Sequence, residues 1–223
     1  MLHQQKYLLL VVSKLVFMNN DNNIDRKIRL EHVISFADAI FAFSITFMAI
    51  SIQIPDLQGN LTQTEVITKL IQLRPQFEIY IISFFIIGIY WISYHQVFNH
   101  ITASHTAMIW LNLVFLFFIT LISFATALQI NYGLYHIIFI LYALVLTITG
   151  SLLALIWLHA KRNNLIDKTL SIIQTRNISL QSLLPPTVFA ISILISFVDI
   201  QIAYYSWIAI IPAKIIIRKT YPY

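Results

Sequence analysis

This sequence predicts an all-helical membrane protein of six spans, and three observations predict it. Hydrophobic residues make up 59% of the chain and charged ones only 10%, which is too little polar surface to cover a water-soluble globule of this size. A mean hydropathy of +0.79 over 223 residues leaves room for apolar segments of about 20 residues each, joined by short loops. The third observation is the placement of Lys and Arg, which cluster in loops and at chain ends as membrane topology requires.

Six apolar segments are expected, over 32–54, 77–98, 106–128, 133–159, 184–199 and 201–217. The fifth opens at Pro185 and Pro186, residues that suit a helix start better than an interior. Only Asp199 and its neighbours separate it from the sixth, so the two read as a tight helical hairpin. Tyr132 with Tyr135, and Tyr204 and Tyr205 with Trp207, stand near expected span ends, where aromatic belts anchor helices. The run YLLLVVSKLVF near the start is too short to span and carries Lys14 in its middle. Residues 1–17 are expected to be an upstream extension, with Met18 as a start.

Even parity follows from the charges. With six spans both termini share a side, and Arg26, Lys27, Arg29, Lys161, Arg162, Lys168, Arg176, Lys214, Arg218 and Lys219 fall on it, against Lys69 and Arg74 opposite. Cytoplasmic loops are enriched in Lys and Arg, so both termini are expected to be cytoplasmic. The expected division is a cytoplasmic segment over 1–31, a transmembrane domain over 32–217 and a short cytoplasmic tail over 218–223.

Much chemistry is withheld. The chain has no cysteine, so disulfides, thiolate nucleophiles and Cys-ligated metals are excluded. There is no HExxH, no GxSxG and no intramembrane pair of carboxylates to share acid and base roles, so no enzyme is expected. The seven histidines show no spacing that would converge on a metal, and no cofactor is implied. The net charge of +5 is explained by topology, not nucleic acid. Four isolated glycines, Gly59, Gly88, Gly133 and Gly150, cannot build a glycine-rich carbonyl filter, so any ion selectivity must come from side chains. Glu78 and Asp199 are expected at solvated helix ends.

The first span, FADAIFAFSITFMAISIQIP from Phe36 to Pro55, carries a carboxylate inside its first turns. Asp38 is tolerable there only if it faces other helices, a water-filled cavity or a partner. On a period of 3.6, Phe43, Thr46 and Ile50 share a stripe with Phe47 and Ile54 beside it, while Asp38 points a quarter to a third of a turn away. The residues alone leave two roles for the stripe: ordinary helix packing, or an apolar constriction that gates by dewetting with Thr46 as a polar foothold. In the second span Trp91, His95 and Phe98 recur at i, i+4 and i+7. In the third, Asn112 should seek an interhelical hydrogen bond.

These residues carry a family resemblance. Phe36, Asp38, Phe41-Ala42, Ile45-Thr46 and Pro55 resemble the first helix of the endolysosomal potassium channel family, transmembrane protein 175, in its prokaryotic branch. Trp91, His95 and Phe98 resemble its second helix, and IWLNLVFLFFITLISFATAL, with Trp110, Asn112, Phe124 and Thr126, its third. The likeness covers about the first 130 residues. It implies a potassium-selective channel of the bacterial plasma membrane, a homotetramer of six-span subunits without a re-entrant pore loop, whose first helices line a central pore. By position, Phe43 and Ile50 become constriction and gate, Thr46 the selectivity layer, and Phe47 and Ile54 pore-flanking residues. Two departures stand out. His32 occupies the slot of the family's arginine, with Arg29 one turn earlier, so His32 or Arg29 is expected to brace Asp38; and Phe43 stands where aliphatic residues are usual. A proton-coupled transporter and a non-conducting scaffold are the rival readings.

Overall fold

A computed structural model of the chain describes residues 30–221 apart from 54, 56, 58, 60, 104 and 105. Arg29, Ile54, His105 and the short apolar run near the start therefore lie outside the described residues. The elements are α1 (Leu30–Ala49), α2 (Gln63–Ile71), α3 (Arg74–Phe98), α4 (Thr106–Tyr132), α5 (His136–Arg162), α6 (Ile172–Ser196), α7 (Ile200–Ser206), a 3₁₀ turn (Trp207–Ala209) and α8 (Ile210–Thr220). Counting α2 with α3, and α7 with the 3₁₀ turn and α8, six helical stretches are long and apolar enough to cross a membrane. A bilayer core offers the backbone no water, so each span satisfies its own amides within a helix.

α5 is the hub, packed between α4 and α6. Its Phe139, Tyr142, Leu146, Leu153 and Trp157 are all buried. Two hydroxyl links tie α3 to it: Tyr90 donates to the Leu146 carbonyl at 2.5 Å, and the Ser83 and Tyr142 hydroxyls lie 2.8 Å apart. Trp157 Nε1 donates to Ser179 Oγ of α6 at 2.8 Å.

The ends of the spans sort by side. Beyond α3, Thr102 N–H donates to the Leu165 carbonyl at 2.8 Å and Asp167 N–H to the His100 carbonyl at 2.9 Å, so the loop after α3 and the loop after α5 are joined. The end of α8 reaches the start of α6, where Arg176 lies 5.1 Å from the Tyr221 ring centre and Asn177 Nδ2 donates to the Tyr221 carbonyl. Lys161, Lys168, Arg176 and Arg218 thus belong to one end of the bundle. At the opposite end Gln53, just past α1, ties the chain to two helices: its N–H donates to Gln76 Oε1 of α3 at 3.0 Å and its Nε2 to Asn131 Oδ1 of α4 at 2.7 Å.

Four expectations need correction. The first helix ends at Ala49, five residues early: i→i−3 bonds from Ile50, Ser51 and Ile52 tighten the chain, which frees Gln53 for its two partners, and Pro55 disfavours helix before it. α2 was not expected, although its signal stands in the sequence as Thr62-x-x-Glu65, a reciprocal capping box. Tyr204 and Trp207 are not belt anchors. Trp207 is buried, stacked on Phe139 at 5.6 Å with Tyr204 at 5.0 Å, because the 3₁₀ turn rotates it inward.

The fourth correction is the largest. α6 begins at Ile172, behind a Ser171–Gln174 capping box, and runs through Pro185 and Pro186. The prolines remove two amide donors, those that the Gln181 and Ser182 carbonyls would otherwise use, an interruption that membrane helices tolerate where neighbouring helices pack against them. Gly150 of α5 makes room, since a Cβ there would stand 2.7 Å from Pro186 Cδ. The hairpin between the last two spans forms as expected, with Asp199 capping α7 by accepting from the Gln201 and Ile202 amides at 2.7 and 2.9 Å.

Alanine favours a helix over glycine by about 1 kcal/mol, yet Gly150→Ala is expected to lower the thermal midpoint, because the rigid Pro186 ring cannot yield and overpacking costs about 1–3 kcal/mol. Gly88→Ala, with nothing within 4 Å of its Cβ, is expected to leave the midpoint level or raise it. Melting of the purified variants in detergent reads both, and equal behaviour of the two would contradict the packing account.

Candidate functional site

The site is α1 and what holds it. Along α1, Ala37, Phe41, Ser44 and Met48 are buried, spaced by four, three and four, so they form one stripe of the helix. Phe41 packs on Tyr94 of α3 at 5.7 Å and on Phe115 of α4 at 6.1 Å. Tyr94 in turn stacks on Phe98 at 4.2 Å and on Phe115 at 5.6 Å. The Ser44 carbonyl accepts from Ser123 Oγ of α4 at 2.9 Å.

Asp38 stands at the edge of this stripe. Its Oδ1 accepts from Trp91 Nε1 at 2.8 Å and lies 2.8 Å from His95 Nε2. A carboxylate can only accept, so His95 donates through Nε2–H. The Trp91 and His95 rings meet edge to face at 4.7 Å, an arrangement fixed by their i, i+4 spacing. Both partners of Asp38 come from α3, and the pair with His95 is half-exposed. His32 is exposed and, among the described residues, contributes no bond to Asp38. The α3 pair takes the bracing role expected of it.

The rest of the predicted set separates cleanly. Phe98, seven residues and so nearly two full turns after Trp91, is buried and stacked on Tyr94. Asn112 is buried beside Tyr94 of α3, with its Oδ1 unpartnered among the described residues. Glu78 pairs with Arg74 at 2.7 Å on an exposed surface. Among the described residues no group of three His, Asp or Glu converges to hold a metal.

The opposite face of α1 is uncovered. Phe36 is exposed, Phe43 is 62% exposed, Phe47 48% and Ile50 74%, with exposed Thr46 between them. The Phe43 and Phe47 rings stack at 5.5 Å, 18° from parallel, a brace that spacing alone did not reveal. Thr46 Oγ1 donates to the Ala42 carbonyl at 2.8 Å, which commits its proton to the helix and leaves its lone pairs facing outward.

Residues 32–122 match the family model for the endosomal/lysosomal potassium channel TMEM175. A potassium channel of Streptomyces collinus is 29% identical over 134 residues, 57% of this chain and 63% of that protein. One of a Chryseobacterium species is 30% identical over 92 residues, 41% of this chain and 44% of that protein. Among solved structures, a lysosomal potassium-selective channel TMEM175 homologue from Chamaesiphon minutus has the same fold, with a TM-score of 0.69 at 19% identity over 87% of this chain and 99% of that one. Over residues 32–122 the chain is similar to the TMEM175 family. It spans 63% and 44% of the length of the two sequence relatives. The region matched to TMEM175 holds α1, α3 and the first half of α4, and so contains Asp38, Trp91 and His95 together with the uncovered stripe. Together with its six apolar helices, this makes it a multi-pass membrane protein.

Asp38→Ala removes both bonds from α3 and leaves two donors unpaired, which is expected to cost about 1–3 kcal/mol and to lower the melting midpoint. Asp38→Asn keeps the acceptor and is expected to lose less. Ordering of the two variants the other way would contradict the anchoring role.

Proposed function

We propose that the chain is one subunit of a homotetrameric, potassium-selective cation channel of the bacterial plasma membrane, with α1 of each subunit lining the pore and both termini cytoplasmic. The observation that carries the reading is the two-sided character of α1: one face pinned by Asp38, Phe41 and Ser44, the other a row of large apolar side chains with nothing over them. Four such rows around an axis would form a constriction of phenylalanine and isoleucine rings. Phe43 and Ile50 are the gate, closing by dewetting. Thr46 between them is the polar layer, its outward lone pairs suited to a partly dehydrated cation. Phe47 stiffens the Phe43 ring, and Ile54 flanks the exit. On this reading residues 32–217 form the channel domain, residues 1–31 and 218–223 are cytoplasmic, and potassium ions and lipid are its small partners. The names of the relatives favour potassium, and the gathering of basic residues at one end favours the stated orientation.

Potassium efflux from liposomes holding the purified protein tests this, with sodium as the competing ion. Wild type is expected to pass potassium in preference, Phe43→Ala to pass more, by about tenfold, and Thr46→Val to narrow the difference between the two ions. No flux from folded, reconstituted protein would overturn the channel reading. Loss of the oligomer in Phe43→Ala would instead make the stripe a packing surface.

A further inference from the structure

At the end of the bundle where the basic residues gather, a cavity of about 590 Å³ lies against α3 and α8. Its polar wall holds Lys214 and Arg218 of α8, His100 beyond α3 and the Gln181 carboxamide of α6. Lys214 and Arg218 are four residues apart and so share a face of the helix. Among the described residues no carboxylate lines the cavity. Asp167 beside it is engaged with the Thr169 amide at 2.8 Å, and Asp38 is turned to the ring N–H groups of Trp91 and His95.

Lys214 is the unusual group. It lies within a stretch apolar enough to span a membrane, where a cation ordinarily pairs or snorkels to water. Here Nζ turns sideways into the protein and donates to the neutral Ser93 Oγ at 2.6 Å. Among the described residues no carboxylate lies within ion-pair distance of it. Lys214 therefore brings to the site a positive charge that no described carboxylate answers.

A second cleft, of about 210 Å³, adjoins the first and shares Lys214, Ile92 and Ile215 with it. Its remaining wall is Ile89, Ile210 and Ile211. A free inorganic anion would use the basic cavity and gain nothing from an isoleucine channel running from it. A molecule with a phosphate at one end and a hydrocarbon chain at the other uses both.

We propose that this pair of clefts binds one anionic phospholipid, its phosphate held by Lys214 and Arg218 with His100 as a further donor, and an acyl chain laid along the isoleucine cleft between α3 and α8. Basic pockets between membrane helices take anionic headgroups in this manner. The full-length protein in neutral detergent, offered dioleoyl phosphatidylglycerol, dioleoyl phosphatidylcholine or inorganic phosphate, tests it by native mass spectrometry. Phosphatidylglycerol is expected to be retained at least about tenfold better than phosphatidylcholine, two cations each contributing on the order of 1 kcal/mol. Lys214→Met combined with Arg218→Met is expected to erase the preference, Lys214→Arg to keep it, and Ile92→Trp, which fills the cleft, to reduce retention of both lipids. Equal retention of the two lipids, a preference that survives the double variant, or displacement of lipid by millimolar phosphate would each overturn the proposal. If the double variant does not fold, Ile92→Trp decides alone, and undiminished retention of phosphatidylglycerol overturns it.

Discussion

A carboxylate cannot remain unpaired among apolar helices, and that constraint at Asp38 sets the placement of everything around it. Trp91 and His95 meet the carboxylate from one helix face, so α1 must lie along α3 at a fixed height and rotation. With Asp38 at the edge of the contact, Phe41 and Ser44 are turned inward onto α3 and α4. Phe43, Thr46 and Ile50 are consequently turned out. The inner face cannot change without changing what the outer face displays, which is how a polar contact far from the stripe governs the stripe's direction.

How much of this was legible in the sequence depends on the range of the signal. Hydrophobic length and Lys/Arg placement are properties of whole segments, and they give six spans and one basic end. The periodicity of α1 is equally local, and it separates Asp38 from the stripe. Helix ends were harder, because they are decided by partners. Gln53 leaves α1 for Gln76 and Asn131, residues more than twenty positions away. The capping box at Thr62 and Glu65 was readable, and α2 was missed because attention to apolar length passes over a short helix.

Pro185 and Pro186 show a different kind of difficulty. Local rules place prolines at a helix start, and those rules hold where water can compete for the freed carbonyls. Inside α6 the competition is absent, and Gly150 on the neighbouring helix provides the space. Only the pairing of α5 with α6 makes that glycine and those prolines one feature. The same applies to His32, which occupies the expected bracing slot by position but stands exposed, while His95, fifty-seven residues from Asp38, reaches it through the fold.

The links between α3 and α5 give the subunit a mechanical character. Ser83 with Tyr142, Tyr90 with Leu146, and the bridge of Ile101 with Ile166 fasten the two helices near one end, at the middle and just beyond the other. Three fixings along a rod remove sliding, tilting and twisting of one helix against the other, so the pair behaves as a girder. α1 is fixed to that girder and to α4 at several heights: by Asp38 with Trp91 and His95, by Phe41 against Tyr94 and Phe115, by the Ser44 carbonyl with Ser123, and just past its end by Gln53 with Gln76 and Asn131. The exposed stripe from Phe43 to Ile50 therefore stands between one fixing at Asp38 and another at Gln53, carried as a beam held at both ends and not as a lever free at one.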